Sequence, residues 1–236
     1  MPAWMLDNTD RQVSEFDVGA LDTVGGGELT HLVLCMPSKP QLINQDSAPI
    51  DSIHMGPPLG SKSTKVGAIG TAALDAHQAE PGERRKIKAF VDDRLDERNA
   101  QQERLLALRS WEKYFAEYVI HPPFVEQDEN TPLWRFSCVG FVLRAYIEAR
   151  IHLLNLEKIP CSSLEYLKLT YGSIARKLDE PDFRSRLGIA EGETWPVALV
   201  GHVLNSLARD PDEIRQTPFI PKAGDELFPR IEATSA

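Results

Sequence analysis

Residues 137–151 constrain this chain more than any other stretch. Val139, Phe141, Val142, Leu143, Ala145, Tyr146, Ile147 and Ala149 leave almost no polar face, and a helix that is apolar nearly all round has to lie inside a protein. The rest of the chain must cover it. The segment is shorter than the roughly 20 residues that cross a bilayer, and no run of about 18 apolar residues occurs elsewhere. Residues 1–15 lack the basic start and apolar run of an export signal. The expectation is a cytoplasmic, unanchored chain with no membrane insertion.

Covering material is plentiful, because 236 residues that are 42% hydrophobic can bury a large core without disulfide or metal staples. Cys35, Cys138 and Cys161 are odd in number and unevenly spaced, which argues against a disulfide framework and fits a reducing compartment. Lys+Arg of 26 against Asp+Glu of 35 leaves a net charge of −9. No nucleic-acid partner is expected without an overall positive field.

Around the central helix the pattern predicts an α+β fold. Residues 1–28 are acidic, turn at Gly25-Gly26-Gly27, and read as a loose lead-in. Residues 29–36 read as a buried strand stopped by Pro37, with His31, Val33 and Cys35 on one face. Residues 41–45 read as a second strand paired with it across a turn at 37–40. Gly, Pro, Ser and Thr crowd 56–71, which reads as a loop holding at most a short strand. Over 83–119, Ile87, Phe90, Val91, Leu105, Leu108, Trp111 and Phe115 recur at helical spacing on a charged background. That region is read as a helical insertion, one long solvated helix or two with a break. Ser162-Ser163-Leu164-Glu165 has capping-box spacing and opens a helix to about residue 178. A last amphipathic helix runs through about residue 208, and the Pro-rich 210–236 reads as a tail. One domain over 29–209 is expected, its cysteine-bearing helix packed on a small antiparallel sheet.

Cys138 falls in the first turn of the central helix. Unsatisfied N–H groups and the positive end of the helix dipole stabilise a thiolate there, and the thiolate is the nucleophile of cysteine chemistry. A nearby imidazole would take the proton, and His31 on its buried strand is the candidate. A third polar group should orient the ring; Asn44, or else Gln45, on the neighbouring predicted strand would serve.

The run Cys138-Val139-Gly140-Phe141-Val142 with Ala145-Tyr146 resembles the cysteine helix of NlpC-type papain-like cysteine peptidases. Thr30-His31-Leu32-Val33-Leu34 resembles the histidine strand of their circularly permuted branch, which includes relatives of lecithin retinol acyltransferase, and Leu42-Ile43-Asn44-Gln45 resembles the strand that follows. Val139 and Val33 depart from that pattern. The resemblance implies a permuted papain-like core and a cysteine hydrolase or acyltransferase with the triad Cys138, His31 and Asn44. It implies a peptide or acyl-bearing small molecule as substrate and no cofactor or metal.

Other readings compete. A non-catalytic α+β domain acting through protein contacts would use the same residues as core. Gly56-Pro57-Pro58-Leu59-Gly60-Ser61-Lys62-Ser63-Thr64 resembles a phosphate-binding loop, though Ser61 stands where glycine precedes the lysine. His31, Cys35 and His54 fit no zinc-finger spacing. His202 reads as solvated on the polar side of its helix, Cys35 as a core thiol and Cys161 as a loop thiol.

Overall fold

Short apolar stretches divided by turns build the first third of the chain into antiparallel sheet. The computed structural model describes residues 11–21, 29–37, 41–43, 49–64, 68–70, 82–190 and 192–226. Strands β1 (Arg11–Val13), β2 (Val18–Leu21), β3 (His31–Cys35), β4 (Gln41–Ile43), β5 (Ile50–Met55), β6 (Leu59–Thr64) and β7 (Ala68–Gly70) come first. Five of them form one sheet in the order β6-β5-β3-β2-β7, and β1 pairs with β4 apart from it. Leu34 opposes Ile53, so strand alternation puts Leu32, Leu34, Ile53 and Met55 on one face. All four are buried.

Helices follow: α1 (Glu83–Ala100), α2 (Gln102–Ala107), α3 (Ser110–Phe115), α4 (Cys138–Glu148), α5 (Leu164–Thr170), α6 (Pro181–Arg186), α7 (Val200–Leu207) and α8 (Pro211–Gln216). Two-residue strands β8 (Phe124–Val125) with β9 (Arg135–Phe136), and β10 (Ser162–Ser163) with β11 (Thr194–Trp195), pair between them. The architecture is α+β, as the patterning predicts, and α4 is its centre, packed on β3 and β5.

Helix α4 is held at three places. Ser137 caps it, its hydroxyl accepting the Gly140 N–H at 2.8 Å. A Cβ at Gly140 would lie 1.6 Å from the Pro123 carbonyl oxygen, so only glycine lets the first turn lie flush on that loop. At the other end the Tyr146 hydroxyl donates to the Phe16 carbonyl at 3.1 Å. Phe141, Val142 and Leu143 are buried, each contributing about 2 kcal/mol by removal from water.

The charged region 83–119 is part of this core. Ile87, Phe90 and Val91 are buried facing α4, where Phe90, Phe136 and Phe141 pack with ring centres 5.5–6.2 Å apart. The Arg94 guanidinium sits 4.6 Å over Trp134 and pairs with Glu97 at 3.4 Å. The helix breaks at Gln101 and again at Leu108, whose backbone is extended.

Several boundaries differ from the sequence reading. Within the expected lead-in, residues 11–21 are part of the fold, because β2 lies inside the sheet between β3 and β7. Asp17 just before it is fully buried, which its partners explain: its carboxylate accepts the Ser14 N–H at 2.8 Å and lies 3.4 Å from Arg84. β4 pairs with β1 and not with β3; the neighbours of β3 are β2 and β5. The stretch read as loop over 56–71 contains β6, fully paired with β5. Past Thr170 the predicted helix to 178 gives way to short 3-10 turns. Residues 210–226, read as an ordered loop or a wrapping tail, are tied to the domain, since α8 supplies Arg215 to the buried Glu83 through two bonds of 2.7 and 2.9 Å.

Candidate active site

The sheet opens where β3 leaves β5. Their pairing comprises Leu34 with Ile53 and Cys35 with Ser52, so towards His31 the two strands diverge. Into that opening points the first turn of α4. The Leu32 N–H, which the divergence leaves without a ladder partner on β5, lies near the Cys138 sulfur, and its dipole, with those of the Val139 and Cys138 N–H groups, favours the thiolate. Burial pushes the Cys138 thiol up, and these three N–H groups offset only part of that rise. The thiol is 3% exposed, and a cavity of about 480 Å³ reaches it.

His31 and His54 line the same cavity. Nε2 of His31 lies 3.0 Å from Nδ1 of His54, the rings meeting edge to face at 85°. One of these nitrogens must carry the proton. Burial holds His31 down at about 3 and lowers His54 as well, so both rings are neutral at neutral pH. In the tautomer where His31 donates from Nε2 to His54, the lone pair of His31 that remains for chemistry is on Nδ1. Gly56 makes room for the pair: a Cβ there would fall 2.6 Å from the His54 ring.

Tyr118 and Tyr171 flank the sulfur. Their hydroxyls interact with each other, and burial pushes both well above the ordinary phenol range. Tyr171, Gly172 and Ser173, from the turn after α5, complete the cavity wall with Tyr114 and Lys62.

Of the residues singled out in the sequence, Cys138 and His31 come together at one cavity; no hydrogen bond joins them. Asn44 and Gln45 lie outside the described residues. The group that contacts His31 is His54 on β5, which sequence reasoning considered only as a zinc ligand. Its signal was the polar-apolar alternation of Ser52-Ile53-His54-Met55 before Gly56-Pro57-Pro58, which marks a strand ending at a turn. Tyr118 and Tyr171 gave no signal, since their approach to Cys138 is tertiary.

Several candidates are corrected. The phosphate-loop reading fails because Leu59–Thr64 is an extended strand paired residue for residue with β5, whereas a phosphate cradle needs a turn leading into a helix N-terminus. His202 is buried at 1% exposure, its Nδ1 accepting the Leu199 N–H at 3.2 Å. Burial pushes it down to about 4, a neutral core histidine. Cys35 is buried beside Asp17, and Cys161 is exposed. Among the described residues no three or more His, Cys, Asp or Glu side chains gather where they could hold a metal ion. No described helix is long and apolar enough to cross a membrane. Comparison with protein-family models, with curated proteins and with solved structures finds no match.

Proposed function

We propose that the protein is a cysteine hydrolase or acyltransferase acting on an amide, ester or thioester, with a permuted papain-like core. The observation that carries this reading is the convergence of Cys138, at the amide-rich start of α4, and the His31–His54 pair on one cavity. The resting pair is a neutral thiol and a neutral imidazole. As the substrate binds, Nδ1 of His31 takes the thiol proton, directly or through one water, and the sulfur attacks the carbonyl carbon. The developing oxyanion takes hydrogen bonds from N–H groups of the first turn of α4. Collapse breaks the bond to the leaving group, which receives the proton from His31. Water, or an acceptor alcohol or amine, then gives its proton to His31 and displaces the sulfur. His54 keeps the proton of His31 on Nε2 by accepting from it, so the Nδ1 lone pair faces the cavity.

The alternative is a non-catalytic α+β interaction domain, favoured by the lack of a hydrogen bond between Cys138 and His31. Reaction with p-nitrophenyl acetate separates the two. A catalytic Cys138 gives a burst of nitrophenolate and one acetyl group on the peptide containing it, and His31→Ala slows that acetylation roughly 100-fold. A chain whose Cys138 stays unacetylated is not this enzyme.

A further inference from the structure

The cavity has a charge opposite to that of the protein around it. The whole chain carries −9, yet among the described residues that line the cavity no Asp or Glu occurs, and the ionised group present is Lys62. The fold fixes where that lysine emerges. Lys62 stands opposite Ser52 in the β5–β6 ladder, and the Ser52 hydroxyl donates to the Lys62 carbonyl at 2.8 Å. Ser52 and His54 are two residues apart on β5, so Lys62 shares their face of the ribbon and is the diagonal neighbour of His54. Its side chain is exposed, and among the described residues no carboxylate bonds its ammonium.

We infer that the acyl donor carries a carboxylate, and that Lys62 is the residue that binds it. The inference rests on Cys138 being the nucleophile, and it adds the substrate class. A single ammonium balances one negative charge, and among the described residues of the lining there is no arginine fork to grip a phosphate in two places. The cleft volume of about 480 Å³ is that of a small-molecule site. Thr170 and Ser173 line it too and offer hydroxyl donors within the same cleft. With both histidines neutral, Lys62 is the one cation among the described residues lining the cavity until the reaction itself protonates His31.

Alkylation tests the inference without knowing the substrate. Iodoacetate and iodoacetamide both react by displacement of iodide by the thiolate, and they differ in charge. The ratio of their rates at Cys138 is taken relative to the same ratio at the exposed Cys161. We expect iodoacetate to be favoured at Cys138 by about tenfold, as one nearby opposite charge in a partly screened site provides. Lys62→Gln abolishes the preference and Lys62→Arg keeps it. Millimolar succinate slows the labelling of Cys138 more than inorganic phosphate does. Labelling of Cys138 by both reagents with no preference, or with a preference that survives Lys62→Gln, overturns the role of Lys62 and leaves the nucleophile in place. Protection by phosphate equal to that by succinate overturns the carboxylate. No labelling of Cys138 by either reagent overturns the nucleophile, and this inference with it.

Discussion

Two buried thiols in this protein have opposite surroundings. Cys35 lies inside the sheet, where burial and the Asp17 carboxylate both push it up. Cys138 is buried as deeply, but three backbone N–H groups lie near its sulfur and a cavity opens on it. Burial alone therefore does not separate an inert thiol from a nucleophile. What separates them is the sign of the nearest charges and a path for a substrate. The histidines repeat the lesson. Burial lowers both His31 and His202, yet one faces the cavity and the other caps the start of α7.

The sharpest way to break the comparison is to remove each thiol in turn. Cys138→Ala should lower acyl transfer by on the order of a thousandfold, whereas Cys35→Ala should leave the rate within about twofold and lower only the melting temperature. Equal losses from both would show that the difference in surroundings has no chemical meaning. Next is the placement of α4. Gly140→Ala puts a methyl where the Pro123 carbonyl is, and thermal unfolding should show a loss of about 3 kcal/mol despite the better helix propensity of alanine. An unchanged melting temperature would mean that the helix is not seated by that contact.

The histidines predict a pH dependence. Their folded-state values of about 3 for His31 and about 4 for His202 lie below the unfolded value near 6.5. The unfolded chain therefore binds more protons over that interval, and stability falls as pH falls. The contribution of each is complete above pH 6.5. It declines by up to about 1.4 kcal/mol per pH unit, down to pH 4 for His202 and pH 3 for His31. Urea unfolding between pH 7 and 4.5 should show this slope. His202→Gln, which keeps an acceptor for the Leu199 N–H, should remove one share of it without touching acyl transfer; His31→Gln should remove a similar share and the activity together. A slope that His202→Gln leaves intact would refute the assignment. The smallest expected effect is at Gly56. Its alanine variant turns the His54 ring away from His31, lowering acyl transfer about tenfold, as loss of one orienting hydrogen bond does, with little change in melting temperature. Full activity in that variant would remove His54 from the site.

The sequence carried the centre of the fold and part of the site. Helix α4 was legible because Val139, Phe141, Val142, Ala145 and Tyr146 leave it no solvent face, and its start because Ser137 is a good cap. His31 was legible as a strand residue. The partner of β3 was not: β4 and β5 both follow it within a short distance, and local pattern does not say which one pairs. The sequence put forward Asn44, which lies outside the described residues, and passed over His54, whose contact with His31 spans 23 residues of sequence. β2 was hidden by the acidic residues around it, because the compensation of Asp17 comes from Arg84, far along the chain.

By itself, then, the sequence determined that an apolar helix headed by Cys138 must be buried under an α+β shell, because composition and periodicity act locally and the hydrophobic effect needs no particular partner. Tertiary structure alone decided that β3 and β5 part beside that helix, that His54 meets His31, and that Lys62 gives the cleft its charge. These are matters of register between distant strands, and a register is set by the packing of the whole sheet rather than by any one segment.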